Sequence, residues 1–214
     1  LEDHDKTIGV VEGVLGIRWF DCTVTGMEAH AGPTPMALRK DAMLAATRIM
    51  QDVVAAAHRH PPHGRGTVGM VQVFPNSRNV IPGRVKFSID LRNSTDALVD
   101  AMVAEVKAFA DQVAKEHGVQ VQIDLVSSYP AQQFHAECVQ AVGRAAAKLG
   151  YSHMPAVSGA GHDAVYMAKL APAGMIFIPC KDGISHNEIE DAQPAHITAG
   201  CNVLLHAMLE RALA

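Results

Sequence analysis

The sequence predicts an α/β chain that carries an α+β insertion, and three observations predict it. Between residues 15 and 128 the hydrophobic pattern runs strand, helix, strand, strand, helix, strand. That is the ferredoxin-like βαββαβ order, in which one antiparallel sheet carries two helices on one face. After Tyr129 and Pro130 the pattern changes to helices separated by glycine-rich links, with one short, wholly apolar strand. This holds too little strand to make a sheet alone, so residues 129–214 are expected to be the C-terminal segment of a larger α/β domain. Finally, 49% of the 214 residues are hydrophobic and 19% charged, enough for a sizeable core and against disorder.

Each element has its own signal. Residues 15–24 alternate and include Ile17, Trp19, Phe20 and Val24, which reads as a strand. The turn-forming run HAGPTPM, residues 30–36, follows, with Thr34 as helix N-cap and Pro35 as first helical residue. Met43, Ala46, Met50, Val53, Val54 and Ala57 then recur at intervals of three and four, until the prolines of HRHPPHG stop the helix. Residues 67–74 and 85–92 read as two more strands joined by the loop PNSRNVIPG. In the second, Val85, Phe87, Ile89 and Leu91 share one face, and Lys86, Ser88, Asp90 and Arg92 the other. A second helix starts near Thr95 with the stripe Val99, Met102, Val103, Val106, Phe109, Ala110 and Val113, and Gly118 ends it as a C′ glycine. Residues 119–125 alternate as a fourth strand. Beyond them come a helix over 134–149, a short helix near 164–170 and a buried parallel strand at 175–178. The last helix, from Pro194, carries Ile197, Cys201, Leu204, Leu205 and Met208 on one stripe.

Composition excludes several classes. A formal net charge of -4 argues against nucleic acid as a partner, and with aromatics at 5% an RNA-binding ferredoxin-like sheet would lack stacking residues. No apolar run approaches the roughly 20 residues of a membrane span, and no basic stub leads into an apolar stretch, so neither membrane nor secretory signal is expected. Cys22, Cys138, Cys180 and Cys201 form no CxxC pair, which argues against a disulfide framework or cysteine zinc knuckle and for a reducing, cytoplasmic setting. The chain opens on Leu1 rather than Met and is expected to be a piece of something longer.

Three clusters could carry chemistry. In GISHNE, residues 183–188, His186 is either a metal ligand oriented by nearby acids or a solvated loop histidine. In SGAGHD, residues 158–163, the glycines before a helix either let backbone N–H groups approach an anion, with His162 and Asp163 adding a donor and a charge, or form a plain loop. His30, Asn79 and Arg92 either hold a carboxylate, the guanidinium by its two-pronged fork, or are ordinary loop and edge residues. Most of the other histidines, twelve in all, are expected to have no chemical task.

The motifs GVVEGVLGIRWF, VTG, HAGPTPM, NVIPG with Arg92 ending the next strand, SGAGHDA and IPCKDGISHNE occur here in one order. Together they resemble the N-carbamoyl-L-amino-acid hydrolases, with the related β-alanine synthases (ureidopropionases) and allantoate amidohydrolases, within the wider clan of metal-dependent aminoacylases and carboxypeptidases. The resemblance implies a catalytic α/β domain with two divalent metal ions, zinc or manganese. It implies an inserted ferredoxin-like lid, here residues 15–128, through which the protein forms a homodimer and which closes on hinges near residues 12–15 and 128–131. Some lid contacts would then cross the dimer interface.

The resemblance also implies roles. His186 would be a metal ligand. His30 would stabilise the tetrahedral oxyanion, and Asn79 and Arg92 would hold the substrate, Arg92 by its carboxylate. Gly161 and His162 would line the pocket. The reaction would hydrolyse a linear carbamoyl C–N bond, giving amino acid, carbon dioxide and ammonia. Cys180 stands where the family usually has serine. The family's other metal ligands, two His, an Asp and a Glu, and its catalytic glutamate belong to an N-terminal half that this chain does not contain. The charges of LEDHDK follow that half and are read as solvated. Two alternatives stand beside this reading: allantoate amidohydrolase, and a non-catalytic dimerisation fragment.

Overall fold

A computed structural model describes residues 1–213. In chain order the strands and helices are β1 (Ile8–Val14), β2 (Gly16–Thr25), β3 (Ala29–His30), α1 (Ala42–Arg59), β4 (Arg65–Thr67), β5 (Val71–Phe74), β6 (Val80–Ile81) and β7 (Arg84–Asn93). Then come α2 (Asp96–His117), β8 (Gln120–Tyr129), β9 (Gln132–Gln133), α3 (Ala136–Lys148), β10 (His153–Ser158), α4 (Asp163–Met167), β11 (Met175–Phe177) and α5 (Pro194–Ala212). The chain divides into two compact units: Leu15–Ala131, and Leu1–Val14 with the chain from Gln132 onward.

The unit Leu15–Ala131 is a two-layer sandwich. Its antiparallel sheet has the order β4-β7-β2-β8, with β5 also on β7. Alternation on the two long central strands puts Phe20, Cys22 and Val24 of β2 and Val85, Phe87, Ile89 and Leu91 of β7 on one face, all buried. Helices α1 and α2 cover that face with Ile49, Val53, Val99, Met102 and Val106, among others. Each large side chain so buried contributes roughly 1.5–3 kcal/mol. Helix α2 begins and ends as its sequence predicts. The Thr95 hydroxyl accepts from Leu98 N at 3.2 Å, and Gly118 takes a φ of 60°.

Helix α1 departs from expectation. Pro35 precedes only a short 3-10 turn, Met36–Leu38, and the helix starts seven residues after Pro35, at Ala42. Its cap is Asp41, whose carboxylate accepts from Met43 N at 2.9 Å and Leu44 N at 3.1 Å. Two cap signals compete in residues 34–41, and the acid nearer the amphipathic run wins. The buried stripe is Ala42, Ala45, Ala46, Ile49, Val53 and Ala56, turned from the expected one so that Val54 is exposed. The strand expected over residues 67–74 is two strands, β4 and β5. Between them Gly69 N and Met70 N both donate to the Ser88 hydroxyl, which breaks the ladder.

The second unit is a mixed sheet in the order β10-β1-β11, with β9 also on β1. Strand β10 runs parallel to β1, whereas β11 and β9 run antiparallel to it. The apolar run expected as a parallel strand is therefore antiparallel and only half-buried; apolar content reports burial and is silent on direction. Three strands of this unit were not expected at all: the two-residue β9, and β1 and β10. Ile8–Val14 is apolar at nearly every position, so it shows no alternation. His153–Ser158 contains Pro155, which is tolerated because β10 lies at the sheet edge. Helices α3 and α5 pack on one face against Ile8 and Val10, while Val11, Val14 and Phe134 form a smaller cluster on the other.

Helix α5 turns the opposite way from expectation. Its buried residues are the small Ala199, Val203 and Ala207. Leu204, Leu205 and Met208 of the expected core stripe are 50%, 55% and 61% exposed. Ile197, Leu204 and Met208 instead line a groove of about 590 Å³ with Met175, Ile176 and Ile178. No helix among the described residues is long and apolar enough to cross a membrane.

Candidate functional site

The sequence-predicted site residues fall in both units. In the unit Leu15–Ala131, His30 ends β3 and pairs with Val80 of β6. Ala31 N donates to Asn79 O at 2.8 Å, so His30 and Asn79 sit side by side across a two-stranded ribbon. Glycines in VTG and NVIPG let this ribbon form. A Cβ on Gly26 would lie 2.0 Å from Lys40 O, and one on Gly83 would lie 2.3 Å from Glu28 Cγ. Gly32 N–H donates to His30 Nδ1 at 3.1 Å, which assigns Nδ1 as acceptor and leaves Nε2 as the ring's N–H. The Ser77 hydroxyl donates to Asn79 Oδ1 at 3.0 Å, which leaves the amide nitrogen as the donor end.

The HAGPT turn is braced by a residue that sequence reasoning missed. Arg39 donates from Nη2 to Ala31 O at 2.6 Å and from Nε to Thr34 O at 3.2 Å. Thr34 Oγ1 also donates to His30 O at 2.6 Å, so the threonine expected to cap a helix instead closes the turn that carries His30.

Arg92 belongs to the five-stranded sheet and lies at the end of β7 away from the His30 ribbon. It opposes Ile17 on one side and Arg65 on the other. From Arg84, beside the His30 ribbon, to Arg92 is eight residues of β7, about 26 Å at strand rise. Helix α1 spans the same distance: Ala42 N bonds Pro82 O at one end, and His60 O accepts from Asn93 Nδ2 at the other. The structure brings His30 and Asn79 together and places Arg92 apart from them.

Arg92 is gripped by Asp90, two residues back on the same face. Nε donates to Oδ1 at 2.9 Å and Nη2 to Oδ2 at 2.6 Å, a side-on, two-pronged pair. Asp90 also holds the guanidinium above its ordinary pKa, so its charge is permanent. Nothing in the sequence marks Asp90 except its place beside Arg92 on the polar face of the strand. Next to the pair lies a cleft of about 250 Å³ lined by Trp19, Phe20, Thr67, Ser88, Asp90 and Val126, among others.

In the other unit, SGAGHD joins β10 to α4. Ser158 is buried; its hydroxyl donates to Ala160 O at 2.7 Å and accepts from Ala160 N at 3.3 Å. A Cβ on Gly161 would meet nothing within 4 Å, so the backbone there is open to approach. His162 sits at the N-cap position of α4, its ring 5.8 Å from that of Phe177. Helix α4 has only five residues, so its N-terminus adds little dipole to the backbone N–H groups of the loop.

His186 lies exposed in the loop between β11 and α5, with a φ of 57°. Its backbone N–H donates to Glu190 Oε2 at 2.9 Å, and Lys181 N donates to Asp191 O at 2.7 Å, closing the loop at both levels. Glu2 is exposed, as expected, and also accepts from Cys180 N at 2.7 Å. Burial, then the carboxylates of Glu2 and Glu190, push the Cys180 thiol up. Among the described residues no group of three or more His, Cys, Asp or Glu side chains could hold a metal ion. These residues therefore do not by themselves fit a two-metal centre.

The chain belongs to peptidase family M20/M25/M40, whose model matches residues 7–210. That family is generally one of metal-dependent hydrolases. An N-carbamoyl-L-amino-acid amidohydrolase of Rhizobium meliloti is 46% identical over 212 residues, which is 99% of this chain and 51% of that protein. The allantoate amidohydrolase of Bacillus subtilis is 31% identical over 204 residues, 95% of this chain and 50% of that protein. A solved amidase of the hydantoinase/carbamoylase family from Burkholderia multivorans aligns with a TM-score of 0.97 and 52% identity, over 100% of this chain and 52% of that one. The chain thus spans about half the length of the curated relatives it matches.

Proposed function

We propose that the full-length protein is a metal-dependent amidohydrolase that cleaves N-carbamoyl-L-amino acids to amino acid, carbon dioxide and ammonia. The observation that carries this reading is the gripped arginine. A permanently charged, oriented guanidinium on the outward face of a sheet suits the carboxylate common to all ureido acids. The 46% identity to a carbamoylase over nearly the whole chain supports it.

In this reading the unit Leu15–Ala131 is a ferredoxin-like lid and dimerisation domain, and the other unit is the C-terminal segment of the catalytic α/β domain. The lid reading rests on the strand order β4-β7-β2-β8, with both helices on one face. The part-domain reading rests on the groove along α5, an apolar face such as a sheet shows when its remaining layers are elsewhere. His186 is proposed as one metal donor, with the others outside this chain; zinc and manganese both suit an imidazole. We place Gly161 and His162 along the substrate pocket.

Arg92 binds the substrate carboxylate. His30 donates its Nε2 proton to the oxygen that gains charge in the tetrahedral intermediate, and the Asn79 amide adds a second donor. Because Arg92 lies at the far end of β7 from the other two, the substrate is held by Arg92 of one protomer and by His30 and Asn79 of its partner, so the homodimer is the active form. The exposed Leu125 on the edge strand β8 offers that dimer a surface. A cytoplasmic setting goes with the four free cysteines.

Allantoate also carries a carboxylate, and the 31% identity to an allantoate amidohydrolase keeps it as the second substrate class. The test is Arg92→Ala in the full-length protein, with an N-carbamoyl amino acid and its carboxamide analogue as substrates. KM should rise about 100-fold for the acid and little for the amide. Equal effects on both would remove Arg92 from substrate binding, and turnover of allantoate alone would change the substrate class.

A further inference from the structure

The cleft beside Asp90 belongs wholly to the unit Leu15–Ala131. On the outward face of its sheet the register sets Asp90 directly opposite Trp19 on β2 and Thr67 on β4. Asp90 and Arg92 are two residues apart on one strand face, and the ion pair draws the guanidinium back along β7 toward Asp90. The arginine head is bonded to Asp90, and Asp90 helps to line the cleft; Arg92 itself is outside the lining, which places it at most at the rim.

The cleft measures about 250 Å³. Its floor is the edge of the buried Phe20 and Ile89, and its walls are Trp19 and Val126, 39% and 56% exposed. Trp19 is braced by Tyr129, whose ring packs edge-on at 6.0 Å. The charges around it are matched: Asp21 pairs with Lys86 at 2.8 Å, and Asp90 with Arg92. The guanidinium at the rim is reserved for the carboxylate; beyond it the cleft offers a side chain no unpaired charge, while the indole offers a flat apolar wall.

In an L-amino acid the carboxylate and the side chain leave the same carbon. A group held by its carboxylate at the rim must put its side chain either into the cleft or away from it. We propose that the Trp19 cleft is the side-chain subsite of the substrate site, and that it selects N-carbamoyl-L-amino acids with aromatic or large apolar side chains. Trp19 is the specificity-determining wall, and Asp90 is a positioning residue that holds Arg92 at the rim. The proposal rests on the reading of Arg92 as the carboxylate holder.

The test uses the full-length protein and compares N-carbamoyl-L-phenylalanine with N-carbamoylglycine. The native protein should prefer the phenylalanine derivative at least ten-fold in kcat/KM, the size of discrimination an apolar pocket gives. Trp19→Ala, which removes the wall, and Thr67→Trp, which fills the cleft from the exposed edge strand, should each reduce that ratio about ten-fold. Thermal melting of both variants, unchanged within a few degrees, shows that folding is intact. A native ratio near one, or a ratio that neither folded variant alters, overturns the subsite while leaving the carboxylate reading standing. Failure of the native protein to turn over either substrate overturns both.

Discussion

The two units solve the same packing problem differently. In Leu15–Ala131 the helices turn large side chains inward: Ile49 and Met102 are fully buried against Phe87. In the other unit α5 turns Ala199, Val203 and Ala207 inward and leaves Leu204, Leu205 and Met208 outside. A helix with small residues on its packed face and large apolar ones on its open face has a second layer to meet. The comparison teaches that the inserted unit closes its core on large side chains, whereas the unit around it leaves a large apolar face of α5 open, the face that the proposed part-domain reading would cover.

That contrast gives a sharp expectation for mutants of this chain. Phe87→Ala should cost about 3–5 kcal/mol, read from denaturant unfolding, because it empties a closed core. Leu204→Ala should cost less than about 0.5 kcal/mol, because its side chain is already half in solvent. Equal costs would erase the distinction between the units. In the full-length protein the Leu204 cost should rise toward that of a core leucine, and a cost that stays small there would leave the groove without an intramolecular partner.

A smaller effect concerns pH. Hydrogen bonds from His60 and then Arg59 hold the Glu105 carboxyl below its ordinary value. A depressed carboxyl contributes its stability in full above the ordinary carboxylate range and loses it as the pH falls through the folded pKa. The melting temperature should therefore drop on acidification through that range, and Glu105→Gln should make the drop shallower. Because Glu105 is well exposed, the change is small, and an identical slope in the variant would assign the acid sensitivity to other carboxylates.

The inserted unit was largely legible in the sequence because each of its layers has one wet face. Alternation in β2 and β7 and the three-four spacing in α2 then report directly on burial. The other unit was less legible for the same physical reason. Ile8–Val14 is buried on both faces and has no period to read, and the large residues of α5 point away from the core that this chain contains. At the candidate site, HAGPTPM and GISHNE stood out by residue type. Asp90 did not, because an ion pair between i and i+2 means something only once the strand puts both side chains on one face. The separation of His30 from Arg92 was equally hidden: it comes from the length of β7, not from any motif.

The central claim is that His186 belongs to a metal centre whose other donors lie outside this chain. The most direct measurement is metal content, by mass spectrometry after exhaustive dialysis, of the 214-residue chain, of the full-length protein and of its His186→Ala variant. The account predicts no retained metal for the short chain, bound zinc or manganese for the full-length protein, and a clear loss of metal in the variant. Two metal ions retained by the short chain, or full occupancy in the variant, would contradict it.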